Sequence, residues 1–153
     1  VGRTGLLTED TSVLLQARPT PARKQRMQDE LPGFVEHLVL LAAGVRHGDG
    51  RTLVVYEDGG SHEAHYPTWT ADRALAWLSA RARELFEQDH AYDLPFNLSL
   101  SLREASPNGQ TRVLQRTRRV EDNDRRPPRP ELEDALRMVE ERYAAFIESR
   151  EEL

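Results

Sequence analysis

Residues 31–66 read LPGFVEHLVLLAAGVRHGDGRTLVVYEDGGSHEAHY, and this stretch decides the fold. Phe34, Val35, Leu38, Val39, Leu41, Ala42 and Val45 wrap most of a helix circumference, and a helix that is apolar nearly all round must be covered on several sides. The helix is therefore expected at the centre of the molecule, ending at Ala43-Gly44. After the loop His47-Gly48-Asp49-Gly50, the β-branched and aromatic run Thr52 to Glu57, the turn signal Asp58-Gly59-Gly60 and the polar return Ser61 to Tyr66 predict a hairpin. The return strand is expected at a sheet edge.

Working outward, Gly2–Leu7 and Ser12–Ala17 predict two paired strands about the turn Thr8–Thr11. Thr20 is the expected N-cap of the next helix, with Pro21 at its first position, and Pro32-Gly33 predicts a kink or restart before Phe34. On the other side, Thr70 is expected to cap a helix that buries Ala71, Ala74, Leu75, Leu78, Ala82, Leu85 and Phe86 as one stripe, with Trp77 also in the core. Leu98, Leu100 and Leu102 alternate with Ser99 and Ser101, a strand pattern with a short helix as the alternative. Residues 106–130 change character to Pro, Gly and Arg and are expected as an exposed loop or linker, and Glu131–Glu152 as a final amphipathic helix. The expected organisation is one domain: an α/β core over 1–105, an Arg-rich loop over 106–130 and a terminal helix over 131–153.

At 153 residues the chain is large enough to bury a core, and its net charge of -5 argues against a surface that coats nucleic acid generally. The absence of cysteine excludes disulfides and thiolate metal sites and suits a reducing cytosol. No export signal stands at the start, and no apolar run approaches the roughly 20 residues that span a bilayer. A soluble, cytoplasmic protein is the expectation. Val rather than Met at position 1 suggests a fragment or a processed product.

Few residues suggest chemistry on their own. His62 and His65 stand three apart in an expected strand and so face opposite ways, which does not suit one metal ion; a solvated edge strand is the plainer reading. Glu36-His37 lies inside the apolar helix, where the plain reading is a His bound to a backbone carbonyl and a Glu on the wet side. No nucleophile elbow or phosphate-cradling Gly-rich loop is present. Arg112, Arg116, Arg118 and Arg119 open an arginine run that could neutralise DNA phosphates, each contact steepening the salt dependence of binding; an arginine-rich linker that stays solvated is the alternative.

Val35-Glu36-His37-Leu38-Val39, Ala42-Ala43-Gly44, Tyr66-Pro67, Ala74 to Ser79 and Leu94-Pro95-Phe96, in this order, resemble the C-terminal part of the gamma subunit of exodeoxyribonuclease V, the RecC subunit of the RecBCD helicase–nuclease. Gly5-Leu6-Leu7, Val13 to Pro19 and Glu131 to Glu148 extend the resemblance over nearly the whole chain. Pro32-Gly33 and the absence of that subunit's final stretch depart from the pattern. The resemblance implies an α/β fold of the PD-(D/E)XK, restriction-endonuclease-like kind: a mixed sheet flanked by helices and catalytically degenerate. Active members need an acid on one strand and acid-x-Lys on the next to hold a divalent cation. Here those positions offer Gly5 and Gln16-Ala17-Arg18, and arginine cannot act as a general base. The resemblance thus implies no catalytic or metal-binding residues and no cofactor in this chain. ATP and Mg would belong to RecB- and RecD-like partner subunits, and duplex or forked DNA would be the substrate of the assembly in double-strand break repair and recombination. Asp10 and Glu9 lie in the turn between those two strands, where they could rescue a metal site. Two alternatives stay open: an active Mg-dependent nuclease with Asp10 and Glu36 as ligands, and a stand-alone interaction domain.

Overall fold

The computed structural model describes residues 5–8, 10–87, 94–116, 130–149 and 151–152. The chain divides into two compact units, Val1–Ala82 with Phe146–Leu153, and Arg83–Ala145. No helix among the described residues is long and apolar enough to cross a membrane.

The first unit is an α/β arrangement built on a mixed sheet. Strands β1 (Gly5–Leu7) and β2 (Thr11–Gln16) are antiparallel, with Gly5 opposite Leu14. Helix α1 (Arg23–Ala42) then carries the chain back across the sheet, so that β3 (Gly50–Tyr56) runs parallel to β2, from Thr11 opposite Arg51 to Gln16 opposite Tyr56. A crossover of this kind is what parallel pairing requires, since a tight turn cannot join two parallel strands. The hairpin to β4 (Ser61–Tyr66) forms at the expected turn, where Gly59 takes φ +80° and the Tyr56 N–H donates to the Gly60 carbonyl at 2.8 Å. β4 is not the edge. The two-residue strand β5 (Glu151–Glu152) pairs beyond it, and the sheet order is β1-β2-β3-β4-β5.

α1 buries Met27, Phe34, Leu38 and Leu41, while the sheet buries Leu14, Val54, Tyr56, Ala64 and Tyr66. Phe34, with no exposed surface, is the hub: its ring lies 5.3 Å from Tyr66, 5.9 Å from Trp69, 5.9 Å from Trp77 and 5.2 Å from Phe146. The edge-on and tilted geometries are those favoured by ring quadrupoles.

Two expectations about α1 are corrected. It runs through Pro32 without interruption, although proline removes the N–H that would serve the carbonyl four residues earlier. Gly33 shows what the local sequence serves instead: a Cβ there would lie 2.1 Å from Thr52 Oγ1, so the glycine lets helix and sheet approach closely. The N-cap is Ala22, with no side-chain cap bond, because Thr20 is engaged elsewhere: its N–H and hydroxyl both donate to the Asp58 carboxylate, at 2.9 and 2.8 Å, tying the helix entry to the hairpin turn.

Helix α2 (Ala71–Glu87) forms where expected, but much of its apolar stripe is not buried. Ala74 is fully buried and Leu78 half-buried, whereas Ala71 and Ala82 are exposed, Leu75 is 54% exposed and Phe86 88%.

The second unit is helical where it is described. Helices α3 (Phe96–Glu104), α4 (Pro107–Arg116) and α5 (Leu132–Val139) enclose Leu94, Leu98, Leu102, Leu114, Ala135, Met138 and Val139. The strand expected from the Leu/Ser alternation is thus a helix. Leu98, Ser99, Leu100 and Leu102 are all buried, and the serine hydroxyls return to carbonyls one turn back, Ser99 to Pro95 at 3.2 Å and Ser101 to Asn97 at 2.9 Å. Pro107–Arg116, expected as loop, is also helical. The single terminal helix expected over Glu131–Glu152 is instead α5, a π-helical turn at Glu140–Ala144, α6 (Ala145–Ser149) and β5.

Candidate functional site

Two groups of buried polar side chains lie on the α1 side of the sheet. The first is assembled from four elements: Arg18 follows β2, Asp29 and Glu30 belong to the N-terminal half of α1, Tyr56 ends β3, and His62 stands on β4. Asp29 is 3% exposed and Glu30 fully buried, so each carboxylate needs partners inside the fold. Arg18 Nη2 binds Asp29 Oδ1, and Tyr56 Oη donates to Asp29 Oδ2 at 3.0 Å. The phenol oxygen lies 3.2 Å from His62 Nδ1, and His62 Nε2 lies 2.9 Å from Glu30 Oε1. The Tyr56 and His62 rings stack with centroids 5.6 Å apart.

Burial, and then the bond to Asp29, push the Tyr56 hydroxyl well above the ordinary tyrosine range. Its single proton is committed to Asp29, so towards His62 Nδ1 the phenol oxygen offers only a lone pair. The result is a chain from the end of β2 through α1 to the hairpin. Its guanidinium is permanently charged, and both oxygens of Asp29 are occupied. Such an arrangement braces the four elements against one another.

The second group lies under the C-terminal half of α1. His37 is 1% exposed; its Nδ1 is 3.5 Å from Arg46 Nη1, and its ring stacks on Tyr66 with centroids 6.1 Å apart. Arg46 also donates to the Thr8 carbonyl at 3.3 Å. A Cβ on Gly50 would come within 2.3 Å of His37 Nδ1, so β3 must begin with glycine for the imidazole to fit. The expected backbone carbonyl is not the His37 partner: Arg46 is, which makes Nδ1 an acceptor, and Nε2 has no hydrogen-bond partner among the described residues. Burial, followed by the Arg46 charge, lowers the His37 pKa to about 4. Glu36 is half-buried.

The residues singled out in the sequence are distributed as follows. Arg112 is exposed on α4 and Arg116 is the last residue of that helix, while Arg118 and Arg119 lie outside the described residues. Gln16 and Arg18 stand at and just beyond the end of β2, and Arg18 is bound to Asp29. Asp10 sits exposed in the β1–β2 turn, where a bond from the Thr11 hydroxyl at 2.9 Å lowers its pKa; Glu9 lies outside the described residues. His62 and His65 do face opposite ways. His62, read as part of a solvated strand, instead points into the network, and His65 lies 3.9 Å from Asp49. Among the described residues no three His, Asp or Glu side chains form a group able to hold a metal ion. Asp29, Glu30 and Tyr56 were not legible as site residues. Their signal was two adjacent acids directly before an apolar helical run, a place where charge requires a buried partner.

Comparison of the chain with family models, curated proteins and solved structures gives no match.

Proposed function

We propose that this chain is a nuclease-like domain of RecC type that has given up metal chemistry and serves as a DNA-contacting scaffold in an ATP-dependent helicase–nuclease. The observation that carries the reading is the fate of Arg18. It occupies the position where an active PD-(D/E)XK member has its lysine, and it is bound to Asp29, whose second oxygen is taken by Tyr56. Gln16, in place of the acid, is at best a neutral ligand. The mixed sheet with α1 packed across it supports the same reading, since the resemblance implies a mixed sheet flanked by helices. On this proposal ATP hydrolysis and Mg-dependent cleavage reside in RecB- and RecD-like partners, the setting is double-strand break repair in the cytoplasm, and Arg112, Arg116, Arg118 and Arg119 contact DNA phosphates.

The test is binding and cleavage by the purified chain. Duplex and forked DNA are expected to bind with an affinity that falls with salt, and replacing the four arginines by Ala should flatten the log–log slope by about 0.9 per lost phosphate contact. No Mg²⁺- or Mn²⁺-dependent cleavage is expected. Cleavage abolished by Asp10→Ala would overturn the proposal in favour of an active nuclease. A salt response that the arginine substitutions leave unchanged would remove the DNA-contact role.

A further inference from the structure

α2 presents an apolar stripe that the fold leaves open. Ala71, Leu75, Ala82 and Phe86 are all exposed, Leu75 at 54% and Phe86 at 88%, with Leu78 half-buried alongside. Successive helix positions turn by about 100°, so these four fall within about 60° of one another. They share one uninterrupted helix, and their spacing follows from helix geometry alone. The stripe runs about 22 Å at 1.5 Å per residue. Exposed Asp72 and exposed Arg83 both stand on the same flank of it.

This pattern is its own complement when one helix is laid antiparallel on a copy of itself. A two-fold axis between Leu78 and Ser79 sets Phe86 of one copy against Ala71 of the other, and Leu75 against Ala82. Large side chains then meet small ones at both ends of the contact, as interdigitating helices require. The same axis keeps each flank on its own side. Asp72 of one copy thereby comes within two residues, about 3 Å along the axis, of Arg83 of the other, and the reciprocal pair forms at the opposite end. A two-fold interface needs a patch that meets itself with size and charge both matched.

We propose that α2 is a self-association surface and that its occupant is α2 of a second copy of this chain, paired antiparallel. The inference does not depend on the RecC reading. A contact of one helix pair is smaller than the roughly 800 Å² per partner of standard interfaces, so the dimer is weak, with a dissociation constant on the order of 0.1 mM.

Sedimentation equilibrium of the full chain from about 10 µM to about 1 mM at low salt tests it. The wild type should pass from monomer to dimer across this range. D72R or R83D alone should weaken association about tenfold, because each turns two attractive rim pairs into repulsive ones, and the D72R/R83D double substitution should restore it. L75E or F86E should abolish it. These positions are exposed, so the folded state of each variant can be verified by its circular dichroism and unfolding midpoint. A chain monomeric up to about 1 mM, a dimer indifferent to L75E and F86E, or a double substitution that fails to restore pairing would each overturn the proposal. A monomer in which L75E and F86E instead abolish binding to purified helicase–nuclease partner subunits would assign the stripe to another chain.

Discussion

The buried imidazole of His37 makes the fold acid-sensitive by an amount that can be worked out. In the native state the ring is 1% exposed beside the Arg46 guanidinium, and burial with that neighbouring cation lowers its pKa from 6.5 to about 4. The unfolded chain takes up the proton near the ordinary value, so between these limits the unfolded state binds more protons than the folded one. Stability from this residue is therefore complete above about pH 6.5 and is lost as pH falls towards about 4. At about 1.4 kcal/mol per pH unit the loss reaches about 3 kcal/mol, a large part of the 5–15 kcal/mol that holds a typical domain together. The assay is urea unfolding followed by circular dichroism at half-unit steps from about pH 7 to about pH 4, on wild type and His37→Gln. The variant starts from lower stability but should lose about 3 kcal/mol less over that range. Titration of the His37 ring proton by NMR in the native state gives a second readout. An imidazole that titrates near 6.5, or a variant with the same pH slope as wild type, would refute the reasoning.

Gly33→Ala should destabilise the protein by about 1–3 kcal/mol through overpacking against Thr52, even though alanine favours a helix interior by about 1 kcal/mol. Adding Thr52→Ala should recover part of the loss in a double-mutant cycle, and a Gly33→Ala protein more stable than wild type would show that the close approach is absent. Arg18→Ala leaves Asp29 buried with only the Tyr56 hydroxyl and should cost about 3 kcal/mol, whereas Arg18→Ala with Asp29→Ala should cost less than the sum of the two single changes. Equal, additive losses in chemical denaturation would show that the two side chains do not act as a pair.

How far the fold could be read from the chain depended on how much of each element is determined locally. The β3–β4 hairpin was legible because Asp58-Gly59-Gly60 supplies the positive φ that its turn needs, with strand formers on either side. α1 was legible as a helix from its apolar positions, although Val39 and Val45 lie exposed rather than covered, and Gly33 misled because it answers to the sheet packed beneath it rather than to the helix. α3 was misread for the opposite reason: a helix buried on several sides has no polar face, so the alternation of Leu with small Ser carries no periodic signal. α2 showed the helical period correctly, but period alone does not say whether a neighbour covers the stripe. The candidate site was the least legible part. Asp29 and Tyr56 are 27 residues apart and His62 and Glu30 are 32 apart, so only the β2–α1–β3 crossover brings them together.

The first unit is discontinuous in the chain. Phe146, fully buried and 5.2 Å from the Phe34 ring, reaches its place only after the intervening 83–145 segment has been made. During synthesis on the ribosome, the sheet and α1 therefore emerge with an aromatic gap at their centre and wait for some sixty further residues before it can close. A nascent chain stalled within that interval would hold Phe34 and Tyr66 without the ring that packs 5.2 and 6.3 Å from them once Phe146 arrives.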